Sequence, residues 1–153
     1  MKKVVVILPY CQHHVLLQLR DDKPEIVYPS SWGFFGGSLE EGESPLDGAR
    51  RELREEIGYE PEEWYSLGEE CLAVPDEVLV YTFCCPLTTP VGTLNLAEGR
   101  DLALFSIEEI LASRKLKAND QKYYLIGAHP IIKQKVTLLN QTLCLMELSE
   151  IVR

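Results

Sequence analysis

Glu52, Glu55 and Glu56 stand three and four residues apart within one run of the chain. Residues at those spacings share a helix face, so a helix here stacks three carboxylates on one side. Like charges so placed repel by roughly 0.2–0.5 kcal/mol per exposed pair, and the neighbouring Arg50, Arg51 and Arg54 compensate only in part. Convergent carboxylates answer a cation. Oxygen-only ligation suits Mg2+ or Mn2+, hard ions that keep several waters and bridge protein acids to phosphates. The run holds no Cys or His, which argues against zinc. A merely solvated acidic face is the plainer reading of the spacing taken alone.

The element that must carry these acids has a start and a stop of its own. Ser44 can cap a helix, Pro45 fits its first position, Asp47 sits where a capping-box acid reaches back, and Gly58 can take the left-handed conformation that ends it. Leu46, Ala49, Leu53 and Ile57 supply the apolar stripe on another face. Upstream, Trp32, Phe34 and Phe35 read as a strand leading into the Gly36-Gly37 turn and a loop that bears Glu43.

Gly37, Glu43, Arg51-Glu52-Leu53, Glu55-Glu56, Gly58 and Tyr59 together resemble the signature of the Nudix hydrolases, G-x5-E-x7-R-E-U-x-E-E-x-G-U with U a bulky aliphatic residue. Only Tyr59 departs from it, in a packing position. Just ahead of the signature, Phe35 stands where many relatives have proline. The resemblance implies hydrolysis of the pyrophosphate in a nucleoside diphosphate linked to another moiety, by water attack on phosphorus with divalent ions. Glu52, Glu55 and Glu56 are then the metal ligands, with the Gly37 carbonyl a further one, and Glu43 and Arg51 form a salt bridge holding loop to helix. The family's second acidic region is matched at Ala97-Glu98-Gly99, which points to Glu98 as a metal ligand or water-positioning group and leaves Asp101 as the alternative. The general base is either Glu56 or Glu98. Arg20, in a strand similar to the family's leucine-leucine-glutamine-x-arginine, is a candidate on the substrate side. A Nudix-like domain that binds nucleotide or protein without turnover is the competing reading; it usually goes with lost acids, and none is lost here.

The 153 residues make one domain, long enough to bury about two-thirds of its unfolded surface without staples. The five cysteines, an odd number without a Cys-x-x-Cys unit, read as small hydrophobes, with Cys84 and Cys85 on opposite faces of a strand. A net charge of −9 argues against extended nucleic-acid binding. Val4 to Leu8 is too short for a membrane span or a leader core, so a cytoplasmic chain is expected.

Two paired strands are expected around Val4–Leu8 and Val15–Arg20, with turn-like residues between them. A loop follows from Asp21 to Ser31, then strands near 64–74 and 78–85, and a short helix opened by Ser106 and Glu109. Asn119 or Asp120 is expected to cap a helix through Ile126, broken at Gly127–Pro130 and resumed at Ile131. Residues 131–153 form a C-terminal helical extension whose Leu143, Leu145 and Leu148 suggest a homodimer contact. Pattern and resemblance together give an α/β/α sandwich around a mixed sheet. Tyr81 and Phe83 share a strand face and are candidates for stacking on a nucleobase. Aromatics outnumber cations around the expected pocket, which favours a nucleoside di- or triphosphate, or a small nucleotide derivative, over inositol polyphosphates or capped RNA.

Overall fold

The apolar run Val4–Leu8 becomes the strand on which the sheet is built. In the computed structural model, which describes residues 1–73, 76–97, 99–127 and 129–152, β1 spans Lys2–Cys11. It pairs antiparallel with β2 (His14–Leu19) and β4 (Phe35–Ser38), and parallel with β6 (Val78–Pro86). β3 (Trp32–Gly33) and β7 (Asp101–Ser106) join β2, and β5 (Tyr65–Leu72) closes the far edge against β6. The result is a seven-stranded mixed sheet, beside a separate hairpin of β8 (Lys115–Lys117) and β9 (Tyr123–Leu125). β1 absorbs Pro9 to Cys11, so the turn into β2 shrinks to Gln12 and His13, with Gln12 at φ 55°.

Helices cover both faces of the sheet, which is why its central strands are apolar throughout rather than alternating. On one face, Ala49, Leu53 and Ile57 of α1 (Pro45–Ile57) pack on Val5, Ile7, Leu16, Phe35 and Cys85. On the other, Ile107 and Ile110 of α2 (Ile107–Ala112) join Ile132, Val136, Leu139 and Leu143 of α3 (His129–Val152) over Leu8, Leu17, Trp32 and Cys84. This is the expected α/β/α sandwich. Cys84 and Cys85 fall in opposite cores, as strand alternation requires.

The C-terminal third differs from expectation. No helix forms over 121–126: Tyr123–Leu125 pairs with Lys115–Lys117 instead. Asp120, expected to cap a helix, accepts the Lys122 N–H at 2.9 Å within the hairpin turn, where Gln121 takes φ 70°. Short acids serve turns by the same local hydrogen bonding that makes them caps, and here strand pairing decides the outcome. The helix begins at His129 and runs unbroken to Val152, with Pro130 in the first turn, where its missing N–H costs nothing.

Candidate active site

α1 is held at both ends by its own sequence. Ser44 Oγ accepts the Asp47 N–H at 3.2 Å, and Gly58 at φ 66° donates to the Arg54 carbonyl. With the apolar stripe fixed on the sheet, Glu52, Glu55 and Glu56 are all delivered to one cleft. The Gly36-Gly37 backbone lies directly against them. Gly36 N–H donates to Glu56 Oε2 at 3.0 Å, and a Cβ at position 37 would stand only 2.5 Å from Glu52 Oε1. Gly36 itself has φ 142°, and a Cβ there would meet the Val5 carbonyl oxygen at 2.0 Å. Only glycine lets this strand end pass so close to the acids.

Arg51 is the hub of the site. Its Nε and Nη2 donate to Glu43 at 2.8 and 3.0 Å, and Nη2 also reaches the Ser38 carbonyl at 3.1 Å. Nη1 donates to Glu52 at 3.0 Å and Glu55 at 3.2 Å. The paired bond to Arg51 holds the Glu43 carboxyl down at about 2, with the Glu40 N–H adding to the effect. Glu52 is moved the other way: burial raises its carboxyl above the ordinary value, although Arg51 pulls against it.

The cleft, about 720 Å3, is lined as well by Gln18, Arg20, Asp21, Lys23 and Glu25. Arg20 also lines a second, largely apolar cavity of about 450 Å3 between β1, β4 and α3, and Gly36 borders both spaces. The Arg20 Nε is buried and has no hydrogen-bond partner among the described residues. An anion entering between the two spaces would supply one.

The expected site residues divide into those brought together and those kept apart. Glu52, Glu55, Glu56 and Arg20 share the cleft, Gly37 lies beside it, and Arg51 and Glu43 stand behind. Glu98 lies outside the described residues, but its neighbours Ala97 and Gly99 line the cleft, and Ala97 N–H is tied to the Glu56 carbonyl at 2.9 Å. Asp101, the alternative, is already engaged: its carboxylate accepts from the Asn119 N–H at 2.8 Å and the Asn119 side chain at 2.6 Å, fastening β7 to the hairpin turn. Tyr81 and Phe83 are not at the cleft or the apolar cavity. They pack against the core beneath α1, Phe83 edge-on to Trp64 at 6.3 Å, while Val80, just before Tyr81 and on the opposite face of the strand, lines the cavity. The shared face was read correctly and its direction was not, because alternation gives a period but no absolute side.

Sequence reasoning passed over Lys23 as a cleft residue, and over Glu70 and Lys135, which line the apolar cavity. Lys135 carried a signal: it is a lone cation beside Ile132, Val136 and Leu139 in a helix stripe that is otherwise core.

Carboxylate and carbonyl oxygens at one cleft are the donor type that a hard divalent ion takes, and the glycine backbone leaves room for it beside Glu52. Among the described residues no three acidic, His or Cys side chains stand grouped on a single point. Arg51 draws Glu52 and Glu55 toward itself, and Gly36 holds Glu56. The donor set therefore fits Mg2+ or Mn2+ in kind, with ligation requiring these side chains to turn inward.

A fold of this topology has known counterparts. The NUDIX domain profile matches residues 1–126, and the chain belongs to the Nudix superfamily. A nucleoside triphosphatase, NudI, of Escherichia coli is 29% identical over 128 residues, covering 79% of this chain and 78% of that protein. Among solved structures, a MutT protein of Methanosarcina mazei superposes with a TM-score of 0.69 at 19% identity, covering 91% of this chain and 94% of that one. The NUDIX domain of Shewanella oneidensis NrtR, complexed with ADP ribose, gives 0.67 at 17% identity, covering 92% and 87%. At such identities the structures speak for the fold alone. No helix among the described residues is long and apolar enough to cross a membrane.

Proposed function

We propose that this chain is a divalent-metal-dependent pyrophosphohydrolase acting on a nucleoside di- or triphosphate or a small nucleotide derivative. The observation that carries this reading is a single cleft lined by Glu52, Glu55 and Glu56 together with Arg20 and Lys23, which shares Arg20 and Gly36 with a largely apolar cavity. Carboxylates able to take a divalent ion and cations able to take phosphate oxygens, lining one cleft, suit a phosphate chain and the ion that accompanies it. The likeness to a nucleoside triphosphatase supports the same substrate class.

Glu52, Glu55, Glu56 and the Gly37 carbonyl would hold Mg2+ or Mn2+. Such an ion offsets charge on phosphate oxygens and makes hydroxide available near neutral pH. Arg20 and Lys23 bind and orient the phosphates, and Arg20 does so where the cleft meets the cavity. Glu56 or Glu98 accepts the proton of the attacking water, and Arg51, itself aimed by Glu43, positions Glu52 and Glu55. The nucleobase lies in the apolar cavity. A second copy of the chain packs on α3, where Leu145 and Leu148 are 67% and 57% exposed. The reading is tested by assaying nucleoside triphosphates with Mg2+ alongside inositol polyphosphates and capped RNA: a free nucleotide should be the best substrate, and turnover of none would refute it.

A further inference from the structure

Four aromatic side chains, Tyr28, Trp32, Phe34 and Phe35, line the apolar cavity among the described residues, and three of them are committed to the core. Trp32 is fully buried, its Nε1 donating to the Leu116 carbonyl at 3.0 Å and its ring edge-on to Phe105. Phe35 is buried beneath α1, and Phe34 packs against the opposite core. Tyr28 is different. It stands in the loop between β2 and β3 and is 52% exposed.

An exposed tyrosine on a loop is ordinary, but the backbone under this one is not. Tyr28 has φ 52°, a left-handed conformation that bulky residues rarely adopt. It also precedes Pro29, and a proline pushes the residue before it toward extended backbone. The loop is tied against relaxation. Ser30 N–H donates to the Asp21 carbonyl at 3.2 Å and Arg20 N–H to the Ser31 carbonyl at 2.9 Å. The Asp21 carboxylate takes the Gly99 N–H at 3.2 Å, and Arg100 Nη1 donates to Ser30 Oγ at 3.0 Å. Gly127 leaves the space that the root of the ring fills, since a Cβ there would stand 3.0 Å from Tyr28 Cβ and 3.3 Å from Cγ. Backbone strain persists only where its surroundings impose it, and such positions cluster at ligand clamps.

We propose that Tyr28 is a substrate-binding residue, the platform on which the nucleobase stacks. The proposal rests on the nucleotide reading above. A half-exposed phenol ring at an apolar cavity offers a flat π-face to a flat π-face. Every base has one, so Tyr28 supplies affinity for the base rather than a choice among bases. The same loop gives Lys23 and Ile26 to the cleft and Val27 and Tyr28 to the cavity, so one short segment serves both the phosphates and the base. Tyr28 thereby takes the role expected of Tyr81 and Phe83, which pack against the core beneath α1 instead.

The test is calorimetric binding of GMP, AMP, UMP and ribose 5-phosphate to the wild type, Tyr28→Phe and Tyr28→Asn, with thermal melts on each and with kcat and KM for GTP, ATP and UTP. Asparagine tolerates positive φ, so that variant removes the ring and spares the loop backbone. Should it melt early, Tyr28→Gly takes its place, since glycine accepts the same φ. Wild type should bind each nucleotide at least about fivefold more tightly than ribose 5-phosphate, the scale of one base–aromatic stack. Tyr28→Asn should lose that margin for every base and raise KM with little change in kcat, Tyr28→Phe should keep it, and ribose 5-phosphate should bind all three proteins alike. Unchanged nucleotide affinity in Tyr28→Asn overturns the proposal, as does an equal loss for ribose 5-phosphate, which would leave Tyr28 only a loop-shaping role. Ring-dependent nucleotide binding without turnover of any triphosphate leaves the platform standing and sinks the hydrolase. Turnover with Tyr28→Asn indistinguishable from the wild type sinks the platform alone, and failure of every nucleotide to bind sinks both.

Discussion

Glu56 occupies the corner where α1, the glycines of β4 and the segment at Ala97 meet, since its carboxylate takes the Gly36 N–H and its carbonyl takes that of Ala97. Replacing it with glutamine removes a charge without removing volume. Glu56→Gln is expected to lower kcat by about tenfold to a hundredfold, the usual cost of disturbing a metal site, with an unchanged far-ultraviolet circular dichroism spectrum. Wild-type kcat and metal affinity would release Glu56 from that role. Glu43 makes a different kind of prediction. Its carboxyl falls from an ordinary 4.5 to about 2 because Arg51 and the Glu40 N–H favour the ionised form. A depressed folded-state value contributes stability that is complete above pH 4.5 and disappears as the pH falls through about 2. Urea midpoints for Glu43→Gln should therefore lie below those of the wild type near neutrality and converge with them at the acid end. A gap of constant size would mean that the charge is not what holds the loop.

At the scale of elements, α1 and the glycines of β4, which pair with β1 as strand and not as the expected turn, act as one part. A Cβ at Gly37 would collide with the movable end of Glu52 rather than with backbone, so the fold can adjust while the carboxylate cannot keep its place. Gly37→Ala is expected to melt close to the wild type yet to lose about tenfold or more in activity, with a raised Mg2+ requirement; an unaffected Mg2+ dependence would show that the approach is incidental. This part of the molecule was legible in the sequence because its signals are local: Ser44, Pro45 and Gly58 specify a helix without help from elsewhere. The hairpin at 115–125 was not legible, since Asp120 and Gln121 suit a helix start or a turn equally and the deciding partner strand is remote. Tyr81 and Phe83 failed for a related reason. Their face is set by which side of the sheet α1 covers, and that depends on packing across the whole chain.

At the scale of the molecule, the sandwich leaves two neighbouring spaces bordered in common by Arg20 and Gly36, an ionic one beside α1 and an apolar one under α3. α3 thus roofs the cavity with its first half and runs on past the sheet, where Leu145, Met146 and Leu148 are exposed. Sedimentation at tens of micromolar is expected to show a dimer, and a Leu145→Lys, Leu148→Lys variant a monomer. A wild-type particle of monomer mass would mean that this face has no second copy on it. Hydrolysis itself joins all three scales, because it needs the acids, the helix that aligns them and the cleft that brings phosphate to them. The most direct measurement is release of product from nucleoside triphosphates by the purified chain with Mg2+, with EDTA, and with Mg2+ restored. Turnover that vanishes with EDTA, returns with Mg2+ and is lost in Glu56→Gln is the predicted result; full turnover by the chelated protein, or undiminished turnover by the variant, would contradict it.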